Sequence, residues 1–161
     1  MGRSIVAASL LFWLAHSPSA EELKNWFDDP YFVVRSAVRA CPVPRGPFIS
    51  EADMRRSAHG RAERGTGCWL EGKCSKSNAY HYDAAIADEV RKRFAASRAL
   101  AQSSLWVTVQ RRIVWVEGCS ADRRAGSEVE RLLRGIPDVT QVRVNIASEA
   151  SSRPPYPAMP D

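Results

Sequence analysis

The sequence predicts an α+β fold, an αββαβ two-layer sandwich with a helical, disulfide-stapled N-terminal addition. Three observations predict it. Two alternating apolar runs, 105–110 and 113–118, flank the polar pair Arg111 and Arg112, and Val107, Val109, Val114 and Val116 recur with period two, as on one face of a β-hairpin. Helical spacing lies on both sides: Ile86, Val90 and Phe94 before the hairpin, and Val129, Leu132 and Leu133 after it. A third alternating run, 139–146, follows a turn at 135–138. With both helices on one sheet face, this order gives two layers.

Taken in order, the 161-residue chain opens like a secretory signal. Arg3 supplies a positive start, 5–15 is apolar, and Ser17, Ser19 and Ala20 are the small residues a cleavage site needs, so 1–20 is read as a cleaved signal peptide. Residues 21–82 form the Arg-rich addition, 83–147 the sandwich and 148–161 a Pro-rich tail expected to be disordered or loosely packed. Within the addition, Leu23, Trp26 and Phe27 are helically spaced. Asp29 and Pro30 read as an N-cap and first residue of a helix reaching about Ala40, with Phe32, Val33 and Ala37 inward and Arg35 and Arg39 outward. Three prolines make 41–47 a stiff, extended linker. Ser50 then opens a second helix, to about Glu63, poor in apolar residues and rich in arginine. Trp69, Tyr80 and Tyr82 in the next loop read as a small local core. Asp83 caps the helix 84–96.

In this reading export places the four cysteines in an oxidising compartment, where an even number favours disulfides. Spacing favours Cys68–Cys74 with Cys41–Cys119, stapling the addition to the hairpin; the rival joins Cys41 to Cys68 and Cys74 to Cys119. Zinc is disfavoured, since no C-x-x-C occurs and only His59 and His81 remain after the signal.

The hairpin also carries a family resemblance. Val107, Val109, Val114, Val116 and Gly118 fall in register with the pattern of the BON domain, a small bacterial module found mostly in envelope proteins, and Ile136 to Val139 stands where that family leads into its last strand. Arg112 and Asp138 replace glycines of the pattern, at positions that often need positive φ. The resemblance covers roughly 83–147 and implies attachment to phospholipid membrane surfaces or support of envelope integrity, often under stress. The alternative is a protein–protein assembly module of a periplasmic or secretion complex.

Composition narrows the function classes. The net charge of +5 is basic without demanding nucleic acid, and no Gly-x-x-Gly clamp is present. Residues 30–82 carry nine Lys or Arg against four Asp or Glu, whereas 83–147 carry eleven against eight, so the basic bias lies in the addition. No nucleophile–base motif, redox pair or phosphate loop appears, so no enzymatic activity, cofactor or small-molecule substrate is expected. If the four valines face the helices, then Trp106, Thr108, Gln110, Ile113, Trp115 and Glu117 face away. Tryptophans on an open sheet face need a partner. The addition could cover them, a membrane could take them with Arg111 and Arg112 at the headgroups, or another envelope protein could. Trp106, Arg111, Arg112, Ile113 and Trp115 are therefore the candidate membrane or partner surface.

Overall fold

Alternation along the two hairpin runs becomes the centre of the molecule. The computed structural model describes residues 21–148 and 153–160; the expected signal segment, 149–152 and 161 lie outside them. Strand β2 is Ser103–Gln110 and β3 is Ile113–Ser120, paired antiparallel with Val107 opposite Val116 and Val109 opposite Val114. All four valines are fully buried, with Leu105, against Ile86, Val90 and Phe94 of helix α3 (Asp83–Ala96) and Val129 and Leu133 of α4 (Ala125–Leu133). Strand β4, Gln141–Ala147, returns parallel to β3 and lays Val142, Val144 and Ile146 on the same core. The αββαβ order is therefore present, α3–β2–β3–α4–β4.

Gly118 has a steric reason. Its φ is 148°, and a Cβ there would come within 1.9 Å of the Ser104 carbonyl oxygen. The cross-strand backbones approach too closely for any side chain at that position.

The addition differs from its expected form. Residues Tyr31–Ser36 are a strand, β1, not the first turns of a helix. It pairs antiparallel with β2 and makes the sheet four-stranded in the order β1-β2-β3-β4. Tyr31, Phe32, Val33 and Val34 are aromatic or β-branched, suited to an edge that β2 leaves open. Asp29 does not cap a helix either: Asn25 accepts its N–H, and its carboxylate pairs with Arg61 and accepts from Gln110 Nε2. Phe32 and Val34 pack on the core, while Val33 is exposed. Arg35, expected on an outer helical face, instead closes the C-terminus of α3, donating to the carbonyls of Phe94 (2.8 Å) and Ser97 (2.7 Å). No helix forms at 21–29, where Lys24 bridges to Ile49.

Helix α1, Glu51–Ala62, buries no side chain. Its ends and one arginine hold it. Ser50 caps its start by accepting from Asp53 N–H, and Asn78 closes its end by donating to the carbonyls of Arg61 and Ala62. Arg61 lies between the rings of Phe27 (4.3 Å) and Tyr80 (3.5 Å) while pairing with buried Asp29. A short helix, α2 (Thr66–Leu70), follows.

The disulfides are Cys41–Cys119 and Cys68–Cys74. Cys41–Cys119 joins the linker to the outer face of β3, where Cys119 and Ala147 are buried and Trp106 packs beside them. Residues 153–160, expected to be loose, are packed. Arg45 N–H donates to the Pro157 carbonyl (2.7 Å), Met159 N–H to that of Val43 (2.8 Å), and buried Tyr156 donates its hydroxyl to the Pro42 carbonyl (2.8 Å). Proline forbids helix but not an extended strip with alternate free N–H groups. The linker and residues 153–160 thus form a second layer over the outer sheet face.

Cys41–Cys119 closes 78 residues of separation, which corresponds to about 4 kcal/mol of loop entropy in the unfolded chain. Replacing both cysteines by serine is expected to lower the unfolding free energy by about that amount in urea titrations. A change below about 1 kcal/mol would show that the linker is not held to the sheet in this way.

Candidate membrane- or partner-binding surface

The hairpin tip is fixed from beneath. Arg111 (φ 48°) and Arg112 (φ 68°) both take left-handed conformations, the backbone of a type I′ turn, without glycine or asparagine. Asp83, only 2% exposed, makes this possible: its carboxylate accepts the Arg111 N–H at 2.6 Å and the Arg112 N–H at 2.7 Å. The Arg112 side chain returns the contact, donating from Nε to the Asp138 carbonyl (2.7 Å) and lying over the Tyr82 ring (4.7 Å). Asp138 is itself left-handed, with φ 65°. Both positions where the sequence departs from the family's glycines thus keep the positive φ, held by each other.

Of the five candidate surface residues, three share a place. Arg111 is exposed at the tip, and Ile113 and Trp115 are half-buried on the outer face of β3. Arg112 is 22% exposed and engaged with Asp138 and Tyr82, so it belongs to the turn's support. Trp106 lies further along β2, against the Cys41–Cys119 bridge.

Sequence reasoning missed two neighbours. Arg143 of β4 stands opposite Trp115 in register. Arg45, from the linker, lines with Gly46, Thr108, Gln110, Trp115, Glu117 and Pro157 a cavity of about 240 Å³. Gly46 is left-handed (φ 54°) and sits so close to Tyr31 that a Cβ would clash at 2.6 Å, which seats the linker on the sheet. Beneath it, burial raises the Glu117 carboxyl, with a hydrogen bond from Asn145 opposing. Burial, then Glu117, pushes the Tyr31 and Tyr156 hydroxyls up to about 12.

Many of the other basic residues are ion-paired, although Arg39, Arg64, Arg98, Arg123 and Arg134, which lie away from Trp115 in the chain, have no carboxylate at ion-pair distance among the described residues. On α1, Arg55 and Arg56 pair with Glu51 and Asp53; on α3, Arg91 pairs with Asp88 and Arg93 with Glu89; on α4, Arg131 pairs with Glu128. Arg45, Arg111 and Arg143 have no carboxylate at ion-pair distance among the described residues. Among the described residues no group of three or more His, Cys, Asp or Glu could hold a metal ion, and no helix is long and apolar enough to cross a membrane.

Trp69, expected in a local core, is 46% exposed, and Leu70 beside it is 72% exposed. Tyr82 is the buried member of that loop, its hydroxyl accepting from the Lys76 N–H at 2.8 Å.

The support of the tip carries a pH signature. Burial pushes the Asp83 carboxyl up to about 6, with Asp29 adding to the rise and the two turn N–H groups and Arg61 opposing it. The folded protein therefore holds this proton more tightly than the unfolded chain. The associated stability is complete below the ordinary value of 3.8 and is lost as pH rises through about 6. Urea midpoints are expected to fall across that window, and Asp83→Asn to flatten the slope, leaving the smaller part that Glu117 supplies with the same sign. Asp83→Ala, which strips both turn N–H groups of their acceptor, is expected to cost about 2 kcal/mol. An unchanged slope in the asparagine variant would refute this role.

No curated protein and no solved structure matches the chain. A family model described as BON domain matches residues 82–150, which include α3, the hairpin, α4 and β4, so over that stretch the chain is similar to the BON domain family.

Proposed function

We propose that the protein is an exported, non-enzymatic envelope protein that attaches to anionic phospholipid surfaces through the hairpin end of its outer sheet face. One observation carries the reading. Half-buried Trp115 lies between Arg143, its register neighbour, and Arg45, across the small cavity, with Ile113 two residues away and Arg111 at the tip. Three cations without carboxylate partners around two apolar side chains fit the boundary of a bilayer. Tryptophan favours the headgroup level, and each basic residue near an anionic surface contributes about 1 kcal/mol. The BON domain agrees with this reading by family association. The two disulfides agree with an oxidising compartment such as the periplasm, and so with the signal peptide read at 1–20.

A second reading, a protein-assembly module, is favoured by Val33, 51% exposed on edge strand β1. Salt separates the two, because headgroup attraction is screened and an apolar protein interface is not.

The test is co-sedimentation of the oxidised protein with vesicles of neutral lipid, alone or mixed with anionic lipid, at low and moderate salt. Binding is expected to require anionic lipid and to weaken with salt. Arg111→Ala with Arg143→Ala should reduce it about tenfold or more. Trp115→Ala should also reduce it, its folding checked by thermal melting. Absence of sedimentation under every condition would overturn the proposal.

A further inference from the structure

We infer that the Cys68–Cys74 loop is an apolar wedge that enters the same anionic bilayer, with Trp69 and Leu70 as its inserting side chains. This rests on the reading above, and places a second contact outside the BON domain.

Trp69 and Leu70 are adjacent, whereas the other large exposed apolar residues among the described ones, Val33 and Val43, stand singly. The segment carrying them is closed on itself. The disulfide joins its ends, Lys73 N–H donates to the Cys68 carbonyl (3.0 Å), Gly72 N–H to that of Trp69 (2.9 Å) and Glu71 N–H to that of Gly67 (3.0 Å). The N–H groups of Glu71, Gly72 and Lys73 are therefore satisfied from within, which lowers the cost of placing the loop's tip at the headgroup level. The ring also holds the two side chains outward in advance, so little ordering is left to binding.

Charge selects the occupant. Glu71 is the loop's carboxylate and it is paired with Lys73 at 2.7 Å. Behind the loop two cations converge on one ring: the Lys76 ammonium lies 4.9 Å from the centre of Tyr82 and the Arg112 guanidinium 4.7 Å. Arg112 Nη1 also reaches Cys74 Sγ at 3.7 Å. The loop is thus seated against the hairpin tip, and Arg111 is the next residue along. An apolar point backed by Lys76 and Arg111, with Arg112 paired to Asp138 beneath them, is complementary to anionic headgroups over an acyl layer.

The experiment compares native protein, Leu70→Ser, and Trp69→Ser with Leu70→Ser on vesicles containing anionic lipid, with thermal melting as the check on folding. Both side chains are exposed, so the fold should tolerate serine. The double variant is expected to bind about tenfold more weakly and the single variant to fall between. The ratio to native should hold from low to moderate salt, while that of the Arg111→Ala, Arg143→Ala variant shrinks. Acyl-chain-brominated lipid should quench native fluorescence more than that of Trp69→Phe. If native protein binds and the double variant matches it within about twofold, the wedge is overturned and the sheet-face reading stands; a loop made for a protein partner gives this result. If native protein does not bind, both fall together.

Discussion

The carboxylate of Asp83 holds the rest in place. Its position ties together the 3₁₀ turn Ala79–Tyr82, the start of α3 and the tip of the β2–β3 hairpin. Two consecutive arginines in left-handed backbone cost free energy in isolation, of the order of 1 kcal/mol each. Two charge-assisted hydrogen bonds from their own N–H groups offset that cost and make the strain specific to one turn geometry. Once the tip is fixed, period two fixes the rest, since a slip of one residue would carry the four core valines to the outer face. The raised proton affinity of Asp83 follows from burying a carboxyl where dipoles only partly replace water.

The addition depends on the sandwich in a different way. It has little apolar surface to bury, as α1 shows. It is joined instead at discrete points: β1 on the free edge of β2, Arg35 on the open end of α3, Arg61 between two rings and beside Asp29, and the Cys41–Cys119 bridge. Asp29 links two of these, since it also meets Gln110 near the hairpin end. A basic segment can thus be ordered without a core of its own, because each polar contact is desolvated and geometrically defined.

Legibility in the sequence followed how local the controlling force was. The hairpin, α3, α4 and β4 were readable because their apolar periods and the family pattern agree, and the positive φ expected at positions 112 and 138 is present. Residues Tyr31–Ser36 were not, because Asp29-Pro30 is a genuine local start signal that a non-local edge and a non-local ion pair overrule. Asp29 had no reason in the sequence to prefer Arg61, 32 residues away, over the next backbone N–H. The tail was misread from its prolines; Tyr156, its lone aromatic, was the available signal. Of the candidate surface, alternation along β3 pointed to Ile113 and Trp115, and the polar turn pointed to Arg111. Arg143 required the register of β4, Arg45 the path of the linker, and exposure of Trp69 could not be read from residue type.

The covering layer decides which surface remains for a partner. An uncovered αββαβ sandwich would present its whole outer sheet face. Here the linker and residues 153–160 lie over Glu117 and Thr108 at the middle of the face, and Trp106 packs against the disulfide at its far end. What is left is the hairpin end: Ile113, Trp115, Arg111, Arg143 and the rim formed by Arg45. The Cys68–Cys74 loop is anchored to that same end through Arg112. The two disulfides therefore act at opposite ends of the hairpin, one closing the outer face and the other shaping what lies beside the open part. In the proposed attachment, a surface reduced in this way leaves a single basic, partly apolar end of the sheet to meet a bilayer, so the field of its cations is directed rather than spread over the molecule.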